Sequence, residues 1–219
     1  MTQPAPGGGR WVAVAPERLQ RWLDGFAERH GAVTVLAGPD AVLITGEDGA
    51  VAAVQVPFGP LARPCEAVSG PEVAEALTAL VAHAVTERTI GVLLARLGGH
   101  AAGVFVGPRL VASKVGSRYV QGRTAAGGWS QQRFARRRAG QAAVAHAAAA
   151  DDAAGVLLGR DLDALVLGGD RTAVDAVLSD RRLAHLRSLV TGRLLAVPDP
   201  RLKVLQEVPF RDVRIRVTD

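Results

Sequence analysis

The sequence predicts a mixed α/β (α+β) fold, in which a mixed β-sheet is flanked by helices. Three observations lead to this fold class. Short runs of Val, Ile, Leu and Ala, bounded by Gly or Pro, alternate with longer segments whose apolar residues recur every three or four positions. Hydrophobic residues make up 48% of the 219 residues, which allows a substantial core. Aromatic residues make up only 4%, so Ala, Val and Leu must supply most of the packing.

The first part of the chain alternates helix and strand signals. Residues 16–30 are predicted to form an amphipathic helix, because their apolar residues recur at helical spacing. Three short strands are expected at residues 33–36, 42–45 and 51–56, the last two joined by a turn at 46–49. A proline-rich connection at 57–64 then leads to a second helix at 71–86.

The second part predicts an antiparallel meander followed by helices and further strands. The meander strands are expected at residues 90–95, 101–106 and 110–114. Residues 115–129 lack apolar periodicity, and loops of such length in compact domains are usually functional or disordered. Ser130 can cap a long helix over 131–150. A buried strand at 165–167 and a helix at 172–178 follow. The segment at 194–197, a possible turn of helix near 202–206 and the alternating residues 213–217 complete the sheet.

Cysteine usage and hydropathy exclude several classes of protein. The single cysteine, Cys65, excludes an internal disulfide and any multi-cysteine zinc cluster. Residues 1–9 are rich in Gly and Pro and lack the charged and apolar regions of a signal peptide. The longest apolar stretches are shorter than the roughly 20 residues that cross a bilayer. A soluble cytoplasmic protein with no membrane partner is therefore expected.

Charge is distributed very unevenly along the chain. No Asp or Glu occurs between Arg88 and Ala150, where ten Lys and Arg residues lie. Since the chain has 26 basic and 21 acidic residues, the remainder has 16 basic residues against all 21 acidic ones. The acid-free span thus carries +10 and the remainder −5. So complete a separation favours nucleic acid as a partner over a merely solvated arginine face.

Two further patterns are interpreted as structural. The five histidines are His30, His83, His100, His146 and His185. They lie singly, without the spacing of zinc ligands, so each is interpreted as a surface or core residue and no metal is expected. Gly168-Gly169-Asp170 lies between a predicted strand and helix but lacks the rest of a nucleotide motif. We interpret it as a turn, with binding of a small phosphorylated ligand as the alternative.

The segment Gly127-Gly128-Trp129-Ser130-Gln131-Gln132 leads directly into Arg133-Phe134-Ala135-Arg136. This arrangement resembles the catalytic region of archaeal and eukaryotic class 1 release factors, where a Gly-Gly-Gln loop precedes Ser and an Arg-Phe-Ala-Arg helix. Trp129 stands where those proteins have glutamine. That departure is similar to the actinobacterial branch of the VLRF-type (Vms-one-like) release factors, whose looser Gly-x-Ser-Gln loop would correspond to Gly128–Gln131.

The resemblance implies a peptidyl-tRNA hydrolase that releases nascent chains from stalled large ribosomal subunits. It covers about residues 88–219, which are expected to form a catalytic domain like the middle domain of those release factors, with a loop at 115–132. Residues 11–87 would form an N-terminal α/β portion and residues 1–10 a flexible tail. The expected partners are large-subunit rRNA and peptidyl-tRNA, with no DNA and no cofactor. A monomer is favoured because a ribosomal cleft has little room.

Residue chemistry is consistent with this activity. Ester hydrolysis needs an aligned water and stabilisation of negative charge on the former carbonyl oxygen. Gly127 and Gly128 permit close approach of the backbone, and Ser130 would lie where the first N–H groups of the helix are free. Gln131 is the favoured catalytic residue because its main-chain N–H can donate to the oxyanion and its side chain can position water. Gln132 is the second candidate.

Basic and aromatic residues around the loop are expected to contact RNA. This set comprises Lys114, Arg118, Arg123, Trp129, Arg133, Arg136, Arg137 and Arg138. The cationic members would bind phosphates without reading bases. Trp129 is equally compatible with stacking on a base and with packing the loop onto the domain. The alternative function is a non-catalytic RNA-binding or ribosome-associated factor, whose loop is only an electrostatic anchor.

Overall fold

The computed structural model describes residues 2–5, 8–118 and 130–218, with the backbone alone for Thr2 and residues 130–135. Within this part of the chain the elements form two units. One comprises residues 1–86 with 211–219, and the other comprises residues 87–210. Each unit has its own sheet, helices and buried cluster. The α+β class predicted from the sequence is confirmed, with two sheets in place of one.

In the first unit, the residues that the structure describes form seven strands and two helices. The strands are β1 (Thr2–Pro4), β2 (Arg10–Val14), β3 (Val33–Ala37), β4 (Ala41–Gly46), β5 (Val51–Gln55), β6 (Cys65–Val68) and β11 (Val213–Thr218). They form an antiparallel sheet in the order β1-β2-β11-β5-β4-β3-β6. The helices are α1 (Leu19–His30), preceded by a 3-10 turn at Pro16–Arg18, and α2 (Glu72–Val85). Residues of both helices pack against one face of this sheet.

Alternation along the strands gives this sheet one buried and one open face. Val42 and Ile44 of β4 are buried, whereas Leu43 and Thr45 are exposed, as the two-residue period of a strand requires. Helix α1 buries apolar residues three and four positions apart, which face the same core. The opposite face of the sheet, which includes Leu36 and Leu43, is exposed to solvent.

The described residues of the second unit form four strands and three helices. The strands are β7 (Thr89–Arg96), β8 (Gly99–Val106), β9 (Arg109–Ser117) and β10 (Ala164–Gly169). The helices are α3 (Ser130–Leu157), α4 (Arg171–Leu178) and α5 (Leu202–Glu207), with a 3-10 helix at Ala184–Leu189. The sheet order is β10-β7-β8-β9, with β10 parallel to β7 and the rest antiparallel. The predicted meander of three strands is therefore confirmed, and β9 lies at an edge.

The C-terminal strand lies in a different sheet from the one predicted. Residues 213–217 were expected to complete the sheet of the second part, but β11 pairs with β2 and β5 in the first unit. Packing explains this placement, because Val213, Ile215 and Val217 are buried in the first core. In addition, Thr2–Pro4, within the expected flexible tail, pairs with β2.

Helix α3 and strand β9 are both longer than predicted. The helix begins at Ser130 and continues to Leu157, since Ala153 and Leu157 are buried in the second core and offset the weak helix propensity of the two preceding aspartates. Strand β9 continues to Ser117, so the first residues of the loop expected at 115–132 belong to β9 and the last ones belong to α3. The segment at 194–197 makes only an isolated bridge, between Leu195 and Gly168.

Candidate catalytic arm and basic surface

Strand β9 and helix α3 bracket the predicted catalytic loop. After β9 ends at Ser117, the N–H of Arg118 donates to the carbonyl of Gly98 at 2.6 Å, which fixes the last described residue before the loop. The chain is described again from Ser130, the first residue of α3. Four predicted site residues lie outside the described residues: Arg123, Gly127, Gly128 and Trp129.

The predicted catalytic glutamines lie at the beginning of α3. The backbone of Ser130, Gln131, Gln132 and Arg133 is helical, while their side chains lie outside the described part. The first N–H groups of an α-helix have no acceptor within the helix, and the helix dipole is positive at this end. The main-chain N–H groups at these positions therefore have no acceptor within α3.

The described side chains in the half of α3 that carries the arginines do not pack into a core. Arg136 and Arg137 are exposed and Arg138 is half-buried, and no described side chain from 136 to 144 is buried. The first buried residue among the described side chains of the helix is Ala145, and six further buried residues follow it up to Leu157. We call residues 130–144 the arm. At about 1.5 Å per residue, the arm extends roughly 22 Å beyond Ala145.

Two contacts define the direction in which the arm points. Asp152 lies against Gly116, near the end of β9, whereas Leu157 lies against Gly91 of β7. The β8 partners of these two glycines are four residues apart, so the glycines are about 13 Å apart along the strand direction. Helix α3 therefore runs away from the end of β9 as it enters the core. Its preceding residues, including the arm, extend toward and past that end, where the predicted loop begins.

Basic side chains lie on both elements that bracket the loop. Lys114 on β9 and the following Arg118 are exposed, as are Arg136 and Arg137 on the arm. Neither these four residues nor Arg138 has an ion-pair partner among the described residues. Their charge is accordingly not neutralised within the described part of the fold and is available to phosphates.

Two other basic residues of the acid-free span have structural roles. Arg96 places Nε 3.5 Å from Oδ1 of Asp170 and donates from Nη1 to the carbonyl of Val197 at 3.3 Å. Burial lowers the pKa of the Arg88 guanidinium, and the nearby charge of Asp163 opposes that shift. The ten charges counted along the sequence thus overstate what is available to a polyanion.

A buried histidine–aspartate pair ties α3 to the sheet near the end of β9. His100 is only 3% exposed, and its Nε2 lies 2.8 Å from Oδ2 of Asp152. A Cβ at Gly116 would lie 2.5 Å from two atoms of the imidazole ring, so this contact requires glycine opposite His100. The sequence predicted His100 only as a surface or core residue. Its partner is 52 positions away and no local motif joins the two.

The Gly168-Gly169-Asp170 turn uses its hydrogen-bond donors within the fold. The N–H of Gly169 donates to the carbonyl of Leu195 at 2.9 Å, and that of Asp170 to the carbonyl of Ala95 at 2.8 Å. Asp170 also places a carboxylate at the start of α4, where a phosphate would have to bind. The structural interpretation fits this geometry, and the phosphate-binding alternative does not.

Other polar residues make local contacts. His30 Nδ1 lies 2.9 Å from Oδ2 of Asp48, and His83 Nε2 lies 2.9 Å from the carbonyl of Pro57. Cys65 is half-buried at the edge of the first core. Within residues 2–5, 8–118 and 130–218, no three His, Cys, Asp or Glu side chains are grouped so that they could hold a metal ion. None of the helices described there combines the length and apolarity needed to cross a bilayer.

Structural comparison matches the chain, at low identity, to several solved structures. The archaeal translation termination factor aRF1 is 12% identical with a TM-score of 0.39, covering 90% of this chain and 72% of its own. Dom34 of S. cerevisiae is 9% identical with a TM-score of 0.35, covering 95% and 66%. Pelota of Archaeoglobus fulgidus is 12% identical with a TM-score of 0.29, covering 94% and 63%.

Sequence comparison identifies the family. No curated protein matches the chain. The profile of the Actinobacteria/chloroflexi VLRF1 release factors (acVLRF1) matches residues 88–218, which is more than half of the chain. The matched residues include β9, the arm and the whole of α3. As the glycine–glutamine segment and its arginine helix predicted, the chain belongs to the actinobacterial and chloroflexi VLRF1 release factor family.

Proposed function

We propose that this chain is a peptidyl-tRNA hydrolase that acts on stalled large ribosomal subunits in the cytoplasm. Its membership of a release factor family suggests a role in translation termination or ribosome rescue. The observation that carries the finer proposal is the arm. It begins at Ser130 with Gln131 and Gln132, its arginines at 136–138 have no ion-pair partner among the described residues, and it packs into no core along its described length.

Docking on rRNA is the proposed task of the basic surface. Lys114 and Arg118 at the end of β9, together with the arginines of the arm, present positive charge on both sides of the loop. Each phosphate neutralised by such a residue releases counterions, which makes binding strong at low salt and insensitive to sequence. This contact would place the beginning of α3 next to the ester of peptidyl-tRNA.

The proposed reaction is hydrolysis of the ester between the nascent peptide and the terminal ribose. A water oxygen attacks the carbonyl carbon, the bond from that carbon to the ribose oxygen breaks, and a proton of the water ends on the ribose oxygen. The products are a peptide with a free carboxyl group and a tRNA with a free hydroxyl. Main-chain N–H groups at Gln131 and its neighbours would stabilise the oxyanion, while the glutamine side chain would align the water.

The proposed chemistry relies on fixed dipoles, because the carboxylates that follow along the same helix have other partners. Asp151 and Asp152 follow the arm in sequence but lie about 30 Å from Ser130 along the helix. Oδ1 of Asp151 accepts a hydrogen bond from Arg182 at 2.7 Å, and Asp152 contacts His100. Neither carboxylate can serve as a general base at the first turn of α3.

A release assay tests the proposal. Purified protein is added to large subunits that carry labelled peptidyl-tRNA, and free peptide is measured against time. The wild type should release peptide, and Gln131→Ala should lower the rate by about 10²–10³, the usual cost of one lost transition-state donor. Gln132→Ala is assayed in parallel because the register of the loop admits either glutamine. Gln206→Ala, at an exposed position of α5, is the matched control and should retain the wild-type rate.

The outcomes separate the hydrolase from a non-catalytic ribosome-associated factor. No release by the wild type, under conditions in which another release factor acts, would refute the hydrolase. If the wild type released no peptide but bound large subunits, and Glu replacements of the three arginines at 136–138 abolished that binding, the basic surface would serve docking alone. Equal release by the wild type and a Gln131→Ala/Gln132→Ala variant would instead refute the roles given to the glutamines.

A further inference from the structure

We infer that the open face of the seven-stranded sheet in the first unit binds single-stranded RNA, as a second contact in addition to the arm. We call this surface the open face and define it by the outward side chains of β2, β11, β5, β4 and β3. That the RNA is ribosomal rests on the proposed function. That the surface recognises unpaired RNA rests on its own geometry.

Strand alternation places an aromatic ring and two guanidinium groups on the open face. Arg214 and Arg216 alternate along β11 with valine and isoleucine residues that are buried in the first core. Trp11 of β2 is paired directly with Arg216. The guanidinium carbon of Arg214 lies 4.0 Å from the centre of a Trp11 ring, so the cation and the indole form a stack.

Hydrogen bonds hold both arginines in place. Nη1 of Arg214 donates to Oε1 of Gln55 at 3.4 Å, and Gln55 lies on β5, the strand next to β11. Arg216 donates from Nη2 and Nε to the carbonyl of Gly8, at 3.0 and 3.3 Å. Both side chains are half-buried, so their orientation is fixed before any ligand binds, which lowers the cost of ordering them on binding.

Charge on the open face is complementary to phosphate. Six of the seven strands contain no Asp or Glu, and the exception is Glu66 on the edge strand β6. The first unit as a whole is acidic, with eight Lys and Arg residues against eleven Asp and Glu. The outward positions of β2, β11, β5, β4 and β3 nevertheless carry arginines and no carboxylate.

Single-stranded RNA is the polyanion that this combination fits. Proteins bind unpaired nucleotides by stacking bases on aromatic rings or on guanidinium planes, and by contacting phosphates with Arg. The Trp11–Arg214 stack offers such a plane, and Arg216 provides a phosphate contact beside it. Leu36 and Leu43, 43% and 38% exposed, continue the surface with apolar area for bases and riboses. A duplex hides its base faces and would not use the stack.

The first experiment measures affinity of the full-length protein for RNA by fluorescence anisotropy. The probe is a labelled, unstructured oligouridylate, and a duplex RNA of equal length serves for comparison. Arg214→Gln/Arg216→Gln should weaken oligouridylate binding by at least about tenfold and reduce the salt slope by about 1.4, since two phosphate contacts at about 0.7 each are lost. Trp11→Leu keeps apolar bulk and should weaken binding by about 5- to 150-fold, the range for one lost base stack.

A matched control removes two charges from the opposite side of the sheet. Arg18→Gln/Arg21→Gln changes exposed residues at the start of α1 and should leave oligouridylate affinity within about twofold. Circular dichroism and the Tm verify that every variant is folded. The proposal would be overturned if Arg18→Gln/Arg21→Gln weakened oligouridylate binding as much as Arg214→Gln/Arg216→Gln does. It would also be overturned if a duplex bound as tightly as oligouridylate and were equally weakened by Arg214→Gln/Arg216→Gln.

A third variant separates RNA from a protein partner or a second copy of the chain. Leu43→Lys adds a cation to the open face, so it should strengthen oligouridylate binding. If Leu43→Lys instead leaves RNA affinity unchanged and dissociates an oligomer seen by light scattering, the open face is a protein interface and the proposal is wrong.

Failure of this proposal is distinguishable from failure of the hydrolase. On large subunits, Arg214→Gln/Arg216→Gln should raise the concentration needed for half-maximal binding while leaving the release rate at saturating protein unchanged. Gln131→Ala should lower the release rate at saturating protein and leave the concentration needed for half-maximal binding unchanged. If the wild type released no peptide but oligouridylate binding still depended on Arg214 and Arg216, the hydrolase would be refuted and the RNA-binding face supported.

Discussion

The contact between Gly116 and His100 makes the attachment of α3 sensitive to a single methyl group. A Cβ at position 116 would lie 2.5 Å from Cε1 and Nε2 of His100 and 3.0 Å from Oδ2 of Asp152. His100 is buried and cannot move aside without breaking its 2.8 Å contact with Asp152. Overpacking typically costs about 1–3 kcal/mol. Loss of a hydrogen bond to a charged group costs about 1.5–3 kcal/mol. Gly116→Ala should therefore lower the free energy of unfolding by about 3–5 kcal/mol.

A double-mutant cycle tests this cause directly. His100→Ala removes the ring that the new methyl group would meet, so Gly116→Ala should cost less than about 1 kcal/mol in that background. Gly140→Ala on the arm is the matched control, because no described atom outside the helix lies within 4 Å of its added Cβ. In a helix this exchange should raise stability by up to about 1 kcal/mol.

Urea denaturation followed by far-UV circular dichroism measures the four members of the cycle and the control. The cycle should yield a coupling energy of at least about 2 kcal/mol, since contacting residues deviate from additivity by amounts of this order. The reasoning would be refuted if Gly116→Ala cost the same with and without the imidazole. It would also be refuted if Gly116→Ala and Gly140→Ala changed stability equally.

Three further predictions follow from described contacts. Gln replacements of the three arginines at 136–138 should reduce the salt slope of large-subunit binding by up to about 2.7, measured by cosedimentation at several salt concentrations. Burial lowers the pKa of His146 below its usual 6.5. As the pH falls below about 6.5, the imidazole is therefore protonated in the unfolded chain before it is protonated in the folded chain. Stability should accordingly fall as pH drops below about 6.5, and His146→Gln should diminish that fall in thermal unfolding. Gly169→Ala, whose Cβ would lie 2.1 Å from the carbonyl oxygen of Ala95 at a φ of 102°, should cost more than about 3 kcal/mol by urea denaturation. Gly159→Ala, at a φ of 70° in open space, should cost only about 1–2 kcal/mol.

Apolar spacing, turn residues and helix-capping residues predicted the strands and helices that depend mainly on neighbouring positions in the sequence. The meander of β7, β8 and β9 follows from apolar runs separated by tight glycine turns, and the strand bounds agree to within three residues. Helix α1 follows from its apolar spacing and from Gly31, whose φ of 77° suits the residue after a helix. The beginning of α3 was predicted to within one residue, from a serine followed by good helix formers.

Long-range pairing was not predictable from the same signals. Strand β11 alternates apolar and basic residues as any half-buried strand does, and this pattern does not specify its partners, about 160 and 200 positions earlier. The stack of Arg214 on Trp11 depends on that pairing, so the open face could not be recognised in the sequence. The contact between His100 and Asp152 likewise depends on tertiary packing, because neither residue lies in a motif that requires the other.

The acid-free span acquires a physical meaning when it is compared with the packing of α3. Along this helix, described residues from Arg136 to Val144 are unburied and include no acid, whereas burial begins at Ala145 and acids begin at Asp151. Both aspartates then have partners within the second unit, Arg182 and His100. Along α3 the change of charge falls within two turns of the change of packing, as expected if the exposed part of this helix docks on phosphates.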